Sequence, residues 1–440
     1  MTQKLLLAGA AGCLSLLAPP VAAQDADQPT QNWAIHGQAT FVVQGVGGFA
    51  SPYSGPNSLA PKQVKETADA TLFLGARPWA GGEIWVNPEI DQGFGLSNTL
   101  GVAGFPSAEA YKVGRSNPYF RLQRLFVRQT IGLGGAQEAV APGPNQLGGM
   151  RDANRIVITA GKFGVGDIFD SNAYAHDPRS DFLNWSAVDA GTFDYAADAW
   201  GYSTGAAIEY YQGAWTLRVG AFNLSKVPNG ETLERDFSQF QLDAEIEHRH
   251  SIAGHPGAVR VTLFRNHGRF SRYDDALALA AATGGPIDLA LTRRPMTRIG
   301  VHFNLEQELT GTLGVFARAG IADGAIEPYD FTDIDRTAQI GALLHGAGWG
   351  RKDDRIGLAL IANGISAEHR HFLASGGIGV LVGDGKLPDA GAEEIAELFY
   401  AVRITPAFEA TVDAQHIANP GYNRERGPAN VLALRLHAAF

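Results

Sequence analysis

The chain reads as an all-β protein, a transmembrane antiparallel β-barrel of about 16 strands with short periplasmic turns and long external loops. Three observations predict this. The last stretch, Asn430 to Phe440, sets Leu432, Leu434, Leu436, Ala438 and Phe440 on one face and Val431, Ala433, Arg435, His437 and Ala439 on the other. Side chains on a strand alternate faces, so one face is apolar and the other carries Arg and His. Next, an export signal is followed by no apolar run long enough for a membrane-crossing helix. Finally, alternating stretches recur along the whole sequence, separated by gaps that are long and short by turns. A strand in lipid needs both edges paired, which implies closure. An edge strand of a soluble sandwich would show the same alternation once; the repetition argues for the barrel.

The signal comes first. Lys4 is its positive start, Leu5 to Leu17 is apolar, Pro19 and Pro20 break it, and Val21-Ala22-Ala23 precede Gln24. Cleavage after Ala23 is expected, leaving 24–440 as one outer-membrane barrel domain. The single cysteine, Cys13, lies inside the signal. A lipoprotein reading of Ala10-Ala11-Gly12-Cys13 would leave Leu14 to Ala23 as an apolar start. With Cys13 removed, neither a disulfide nor a thiolate metal site is expected. A net charge of −10 argues against nucleic acid as a partner. Gln24 to Gln31 is too short for a plug ahead of the barrel, which argues against an energy-coupled transporter.

The strands then follow in order. Ile35 to Gln44 sets His36, Gln38, Thr40 and Gln44 against Ala39, Phe41 and Val43. Asp69 to Arg77, Glu83 to Ile90 and Arg124 to Ile131 repeat the pattern; in the last, Arg124, Phe126, Arg128 and Thr130 oppose Leu125, Val127 and Ile131. Arg155 to Phe163, Tyr202 to Tyr211 and Trp215 to Phe222 come next. Phe237 to His248 puts Gln239, Gln241, Asp243, Glu245 and Glu247 on one side, a pattern that suits a water-filled lumen rather than a soluble core. Ala258 to Asn266, Arg298 to Glu306, Thr312 to Gly320, Thr337 to His345, Arg355 to Asn363, Glu394 to Ile404 and Phe408 to Ile417 lead to the closing strand. Odd-to-even connections run roughly 12 to 36 residues and the others are mostly turns, the asymmetry expected of such barrels. Gly134 to Ala153 is the exception, a long Gly/Pro-rich stretch on the short side. Tyr273 to Ala282 predicts a short helix in an external loop.

Enzyme motifs are missing: there is no G-x-S-x-G, no H-E-x-x-H and no P-loop. A barrel hydrolase would need a Ser or Thr nucleophile beside a wall His, and none assembles. His369 and His371 read as two solvated histidines, and Asp330, Asp333 and Asp335 as loop polarity rather than a weak calcium site. No cofactor and no metal is expected.

The candidate site is the longest external loop, about 164–199, with Tyr174, Asp177, Arg179, Trp185, Asp198 and, just beyond, Trp200. Flat rings meet the C–H face of a sugar, and charged groups hydrogen-bond its hydroxyls. Folded inward, such a loop would narrow a pore. The alternative is a loop that packs its aromatics against the barrel mouth or a neighbouring subunit, and residue types do not separate the two. By alternation Glu83, Trp85, Glu89, Arg124, Arg128 and Glu209 face the lumen. Mixed charge suits neutral polyhydroxylated solutes, because ion selectivity favours one sign.

These stretches also resemble a known family, the carbohydrate-selective outer-membrane porins of the OprB type. The likeness rests on Leu72-Phe73-Leu74-Gly75, Asn87-Pro88-Glu89, Gly93-Phe94-Gly95-Leu96-Ser97, Gly161-Lys162-Phe163 with Asp167-Ile168-Phe169-Asp170, Asn184-Trp185, and Asn419-Pro420-Gly421-Tyr422-Asn423. It covers nearly the whole mature chain, though Gly134 to Ala153 has no place in it. It implies a sixteen-stranded barrel, a homotrimer, that sits in outer-membrane lipid and passes small sugars by diffusion. A general unselective porin is the nearest rival, separated only by the aromatic loop.

Overall fold

The computed structural model describes residues 29–440; the signal expected at 1–23, and Cys13 with it, lie outside them. Its strands are β1 (Trp33–Val46), β2 (Gln63–Ala76), β3 (Gly82–Gly93), β4 (Arg115–Gly132), β5 (Gln137–Val140), β6 (Gly149–Asp152), β7 (Arg155–Phe163), β8 (Ser203–Gln212) and β9 (Trp215–Asn223). They continue as β10 (Phe240–Ile252), β11 (His255–Phe270), β12 (Arg294–Thr310), β13 (Leu313–Ala322), β14 (Arg336–Gly346), β15 (Arg351–Gly364), β16 (Glu393–Thr405), β17 (Phe408–Ala418) and β18 (Ala429–Ala439). All but β5 and β6 form one closed antiparallel barrel of 16 strands, each paired to its neighbour in sequence. The seam pairs β1 with β18 from Gln38↔Ala439 to Val46↔Val431, and Gly37 and Phe440 exchange backbone hydrogen bonds of 3.1 and 2.9 Å beyond it. Closure leaves no unpaired edge in lipid.

The alternation is real on every wall. Leu432, Leu434, Val412, Leu398, Leu358 and Ile340 point outward and are exposed, while Arg435, Thr411, Glu397 and Gln339 point inward. On β4 the parity changes partway. Phe120 and Leu122 face out above, Leu125, Val127 and Ile131 below, and the register to β3 shifts between Asn87 and Pro88. This β-bulge turns both Gln123 and Arg124 toward the lumen, an extra inward charge that strict alternation would not supply.

The long connections are at one end, at 47–62, 94–114, 164–202, 224–239, 271–293, 323–335, 365–392 and 419–428; those at the other are tight turns except one. The exception, 133–154, is not a lost pair of barrel strands. It carries the hairpin β5–β6, which folds back against the barrel mouth. Arg128 Nη1 donates to the Asn145 carbonyl at 2.7 Å, and Gln31 and Gly148 exchange two hydrogen bonds of 3.0 Å. Leu147 is buried with Ala34, Phe73, Trp85 and Phe126 in one apolar cluster. Trp85 lies flat on Gly75, where a Cβ would fall 2.5 Å from its ring.

The external loops pack on one another as a small soluble core would. Helix α2 (Tyr273–Thr283), close to the short helix predicted, and helix α3 (Ala367–Ala374) meet through Tyr273, whose ring stacks on His369 at 4.4 Å. His369 is therefore buried, with Nδ1 3.1 Å from Asp335, and is not the solvated residue expected; His371 is exposed. Asp330, Asp333 and Asp335 are buried too. Asp333 accepts the Leu381 and Val382 amides at 2.5 and 2.9 Å, Asp335 meets Arg298 at 3.4 Å, and Lys112 donates to Asp330 at 3.4 Å. They hold loops together, and among the described residues no group of three His, Cys, Asp or Glu could hold a metal ion.

Replacing 137–152 by a two-residue turn should leave the barrel folded, with unchanged strand signal in far-UV circular dichroism. It should raise single-channel conductance and red-shift Trp85 fluorescence. Unchanged conductance would mean that the hairpin bounds no part of the path.

Candidate functional site

The third external loop, 164–202, leaves β7 and crosses the lumen. From Phe182 to Trp200 every residue is buried. A buried loop must have its backbone polar groups satisfied, and here the barrel wall does it. Glu397 accepts the Leu183 and Asn184 amides at 2.5 and 3.1 Å. Glu245 accepts Asp170 N at 2.9 Å, Glu306 accepts Ala173 N at 2.7 Å, and Gln241 accepts Ala196 N at 2.6 Å. Guanidiniums serve the carbonyls. Arg318 donates to Ala187 and Ala175 at 3.0 and 2.7 Å, and Arg435 to Pro178, Ser180 and Asp181 at 2.7 to 2.8 Å. The second external loop is held the same way, with Glu393 accepting Ala103 N and Gly104 N at 3.0 and 2.7 Å.

The aromatic side chains fill this inner layer. Trp185, in the single-turn helix α1 (Trp185–Val188), is 3% exposed; it stacks on Phe105 at 5.4 Å and 8° and touches Tyr195 and Phe331. Trp200, 6% exposed, donates to Tyr119 Oη at 2.9 Å beneath the Arg121 guanidinium, 3.2 Å from its ring. Tyr174 lies against Gly314. Trp85 is 0% exposed. The structure thus corrects the expectation that Trp85, Trp185 and Trp200 line the pore: each is covered on both faces by protein, so none offers a face to a passing solute.

The open space lies beside and below this layer, against β3, β4, β7 and β8. A cavity of about 880 Å³ is roofed by Asp167, Ile168 and His176 of the third loop and floored by Asn145, Gln146 and Leu147 of the hairpin connection. Its walls bring together three of the predicted residues, Glu83, Arg128 and Glu209, with Arg77, Arg155 and Tyr211. Glu83 meets Arg77 and Arg128 at 3.4 Å each. Glu209 meets Arg218 at 3.1 Å and accepts from Tyr211 Oη at 2.7 Å. Arg124 holds Asp167 through Nε and Nη2, at 2.8 and 2.6 Å. Burial works against the Asp167 carboxylate, but Arg124 outweighs it and keeps the group below its usual range.

The other predicted residues lie elsewhere. Arg179 reaches from the loop to Asp69, Glu109 and Glu89 at 3.4, 3.4 and 3.6 Å, so Glu89 is a buried anchor. Asp177 is exposed and caps Arg179 N at 2.9 Å. Asp198 is buried between Arg121 and Lys162, at 3.4 and 3.1 Å. Asp167 stands in the loop motif already noted, and Tyr211 faces inward by the alternation of β8; either signal could have found them. His176 and the hairpin residues carry no sequence signal of their own.

A closed sixteen-strand barrel with a loop folded across its lumen and a polar cavity at its wall defines an outer-membrane porin. The family described as carbohydrate-selective porin, OprB family, matches residues 57–440, and the chain belongs to it. It is a substrate-selective channel of the outer membrane for passive diffusion of small carbohydrates. Among solved structures it is similar to OprB of Pseudomonas putida at high pH, with a TM-score of 0.71 at 17% identity over 93% of this chain and 94% of that one. The outer-membrane channel DcaP of Acinetobacter baumannii gives a TM-score of 0.53 at 11% identity over 93% and 97%. At these identities the likeness is one of fold. No curated protein sequence matches the chain.

Two substitutions test the inner layer. Trp185→Ala should cost about 3–5 kcal/mol, read as a lower melting temperature in detergent. Burial also pushes the Asp189 carboxyl up to about 6, with the His176 ring, 4.0 Å away, pulling the other way. A carboxyl raised from about 3.9 stabilises the fold in its protonated form, and that contribution is lost as pH rises through 6. Asp189→Asn, neutral at every pH, should raise stability at pH 8 by about 2–3 kcal/mol and leave it unchanged at pH 4. Equal shifts at both pH values would remove ionisation as the cause.

Proposed function

We propose that mono- or short oligosaccharides pass along the wall of β3, β4, β7 and β8 rather than through the centre of the barrel. The observation that carries this is the cavity of about 880 Å³ in which Glu83, Arg128, Glu209 and the Tyr211 ring face one space. Carboxylates and guanidiniums supply acceptors and donors for hydroxyls, and the ring supplies a face for C–H groups. Glu83, Arg128 and Glu209 each have a partner of opposite sign within 3.4 Å, which weakens any preference for ions of one sign. Arg124 and Asp167 bound the path above this cavity. The channel does no chemistry: its work is to exchange weak hydrogen bonds. It is exported through a signal cleaved after Ala23, and three copies assemble in outer-membrane lipid.

Planar-bilayer conductance with a panel of sugars and an amino-acid mixture tests this. Some sugars should block in a concentration-dependent way and amino acids should not. Arg128→Ala should weaken that block by about tenfold, since a charged hydrogen bond contributes roughly 1.5 kcal/mol. Conductance that no sugar blocks would mark a general porin, and unchanged block in Arg128→Ala would take the path away from this wall. Native mass spectrometry reads the trimer.

A further inference from the structure

The outer wall carries two adjoining recesses, remote from the lumen. Along β12 to β17 the outward positions just below the external rim are in direct register: Phe303, Ala319, Ala338, Ala362, Glu394 and Ala418. Elsewhere this wall carries Leu, Ile and Val outward, as at Ile340, Leu360 and Leu398. The alanines therefore sit in a trough, and a groove of about 730 Å³ opens there between Phe303, Ile340 and Leu360. Ala338 and Ala362 also line a second recess directly above, of about 430 Å³, at the rim. The two recesses thus adjoin across Ala338 and Ala362, and the upper one is basic.

Arg336, Arg370 and Arg424 converge on that upper recess. Arg336 is the outward residue next above Ala338 on β14, and its stem lies over Gly364, where a Cβ would fall 3.0 Å from it. Its guanidinium donates to the Ile365 carbonyl. Arg370 projects from helix α3. Among the described residues neither Arg336 nor Arg370 has a carboxylate within ion-pair distance; Arg424 meets only Asp389, at 3.2 Å, with both side chains more than half exposed. Glu394 lines the lower groove, in register with Ala362 and two residues from Ala392 of the upper recess.

We propose that this surface binds an acylated, phosphorylated lipid of the external leaflet, with acyl chain in the alanine trough and phosphate against Arg336 and Arg370. The argument is charge and shape together. An apolar groove in lipid gains little from one more apolar partner, because lipid tails already fill it. Guanidiniums without carboxylates, placed at head-group height directly above it, select for an anion, and Arg matches phosphate through paired N–H donors. Glu394, in the row of the lower groove, repels an anion there and so favours the head group in the upper recess. One acyl chain alone holds weakly, and adding a basic contact is what makes a lipid site persist.

The test is native mass spectrometry of the full chain in detergent with diphosphorylated lipid A, with its dephosphorylated form and inorganic phosphate as separate arms. Diphosphorylated lipid A should give one retained adduct per chain, and the other two arms none. Arg336→Ala with Arg370→Ala should reduce that adduct at least tenfold, Ala338→Phe should reduce it by filling the trough, and Glu394→Gln should increase it. Heat-modified gel mobility confirms that each variant is folded. Unchanged adduct in the folded double arginine variant would overturn the proposal, as would equal retention of the dephosphorylated form. Retention of inorganic phosphate alone would reduce the site to an ion site without a lipid. If Ala338→Phe changed the number of chains per particle and left the adduct intact, the trough would be a contact between copies instead.

Discussion

A loop that runs through the inside of a barrel must have its peptide groups bonded without help from bulk water, and the interior of this porin is arranged around that need. A buried amide or carbonyl left unpaired costs about 1–3 kcal/mol, and the third loop brings many of them into the lumen. The wall answers in kind, with carboxylates and amides where the loop presents N–H groups and guanidiniums where it presents carbonyls. Glu397 takes two successive amides and Arg435 three nearby carbonyls. The polar face of the strands is therefore a docking surface for chain as much as a lining for water.

This changes how the acidic run on β10 is understood. Gln241, Asp243, Glu245 and Glu247 do point inward as their spacing predicts, yet all are buried. Gln241 and Glu245 bind the third loop, and Glu245 and Glu247 share Arg218, at 2.6 and 3.0 Å. A lumen face and a loop-binding face call for the same polar residues, so alternation alone cannot tell a wetted strand from a covered one. What distinguishes them is which segment lies opposite, and that is set by long-range contacts.

The same limit decides what was legible in the sequence. Strand positions and the barrel class follow from local alternation and gap lengths, and β7 begins and ends where its pattern does, at Arg155 and Phe163. Helix α2 was legible too. The aromatic loop was not, because a ring that stacks on a sugar and one that stacks on Phe105 are the same residue type. Trp185 is placed by Phe105, Tyr195 and Phe331, which come from three different loop segments. His369 appeared solvated for a related reason: its partners Asp335 and Tyr273 lie far off in sequence. The hairpin at 137–152 reads as an unexplained turn because its cover, Trp85 and Phe126, is on the barrel wall.

On the proposed path, the Arg124–Asp167 pair has a reason to bind weakly. Arg124 spends two donors on Asp167, and its remaining arm lies 3.4 Å from Tyr202 Oη. A guanidinium has five donors in a fixed fork, so a hydroxyl can accept from what is left without breaking the pair. Because Asp167 keeps most of the charge, the hydroxyl meets a neutralised dipole rather than a free cation. Breaking the pair instead would leave a half-buried carboxylate and would also loosen the loop that Asp167 begins, through its bond to Gly164 N at 2.9 Å. The ion pair thus anchors the loop and, on the proposed path, would limit how tightly a solute is held, which is what a channel needs if its solute is to leave.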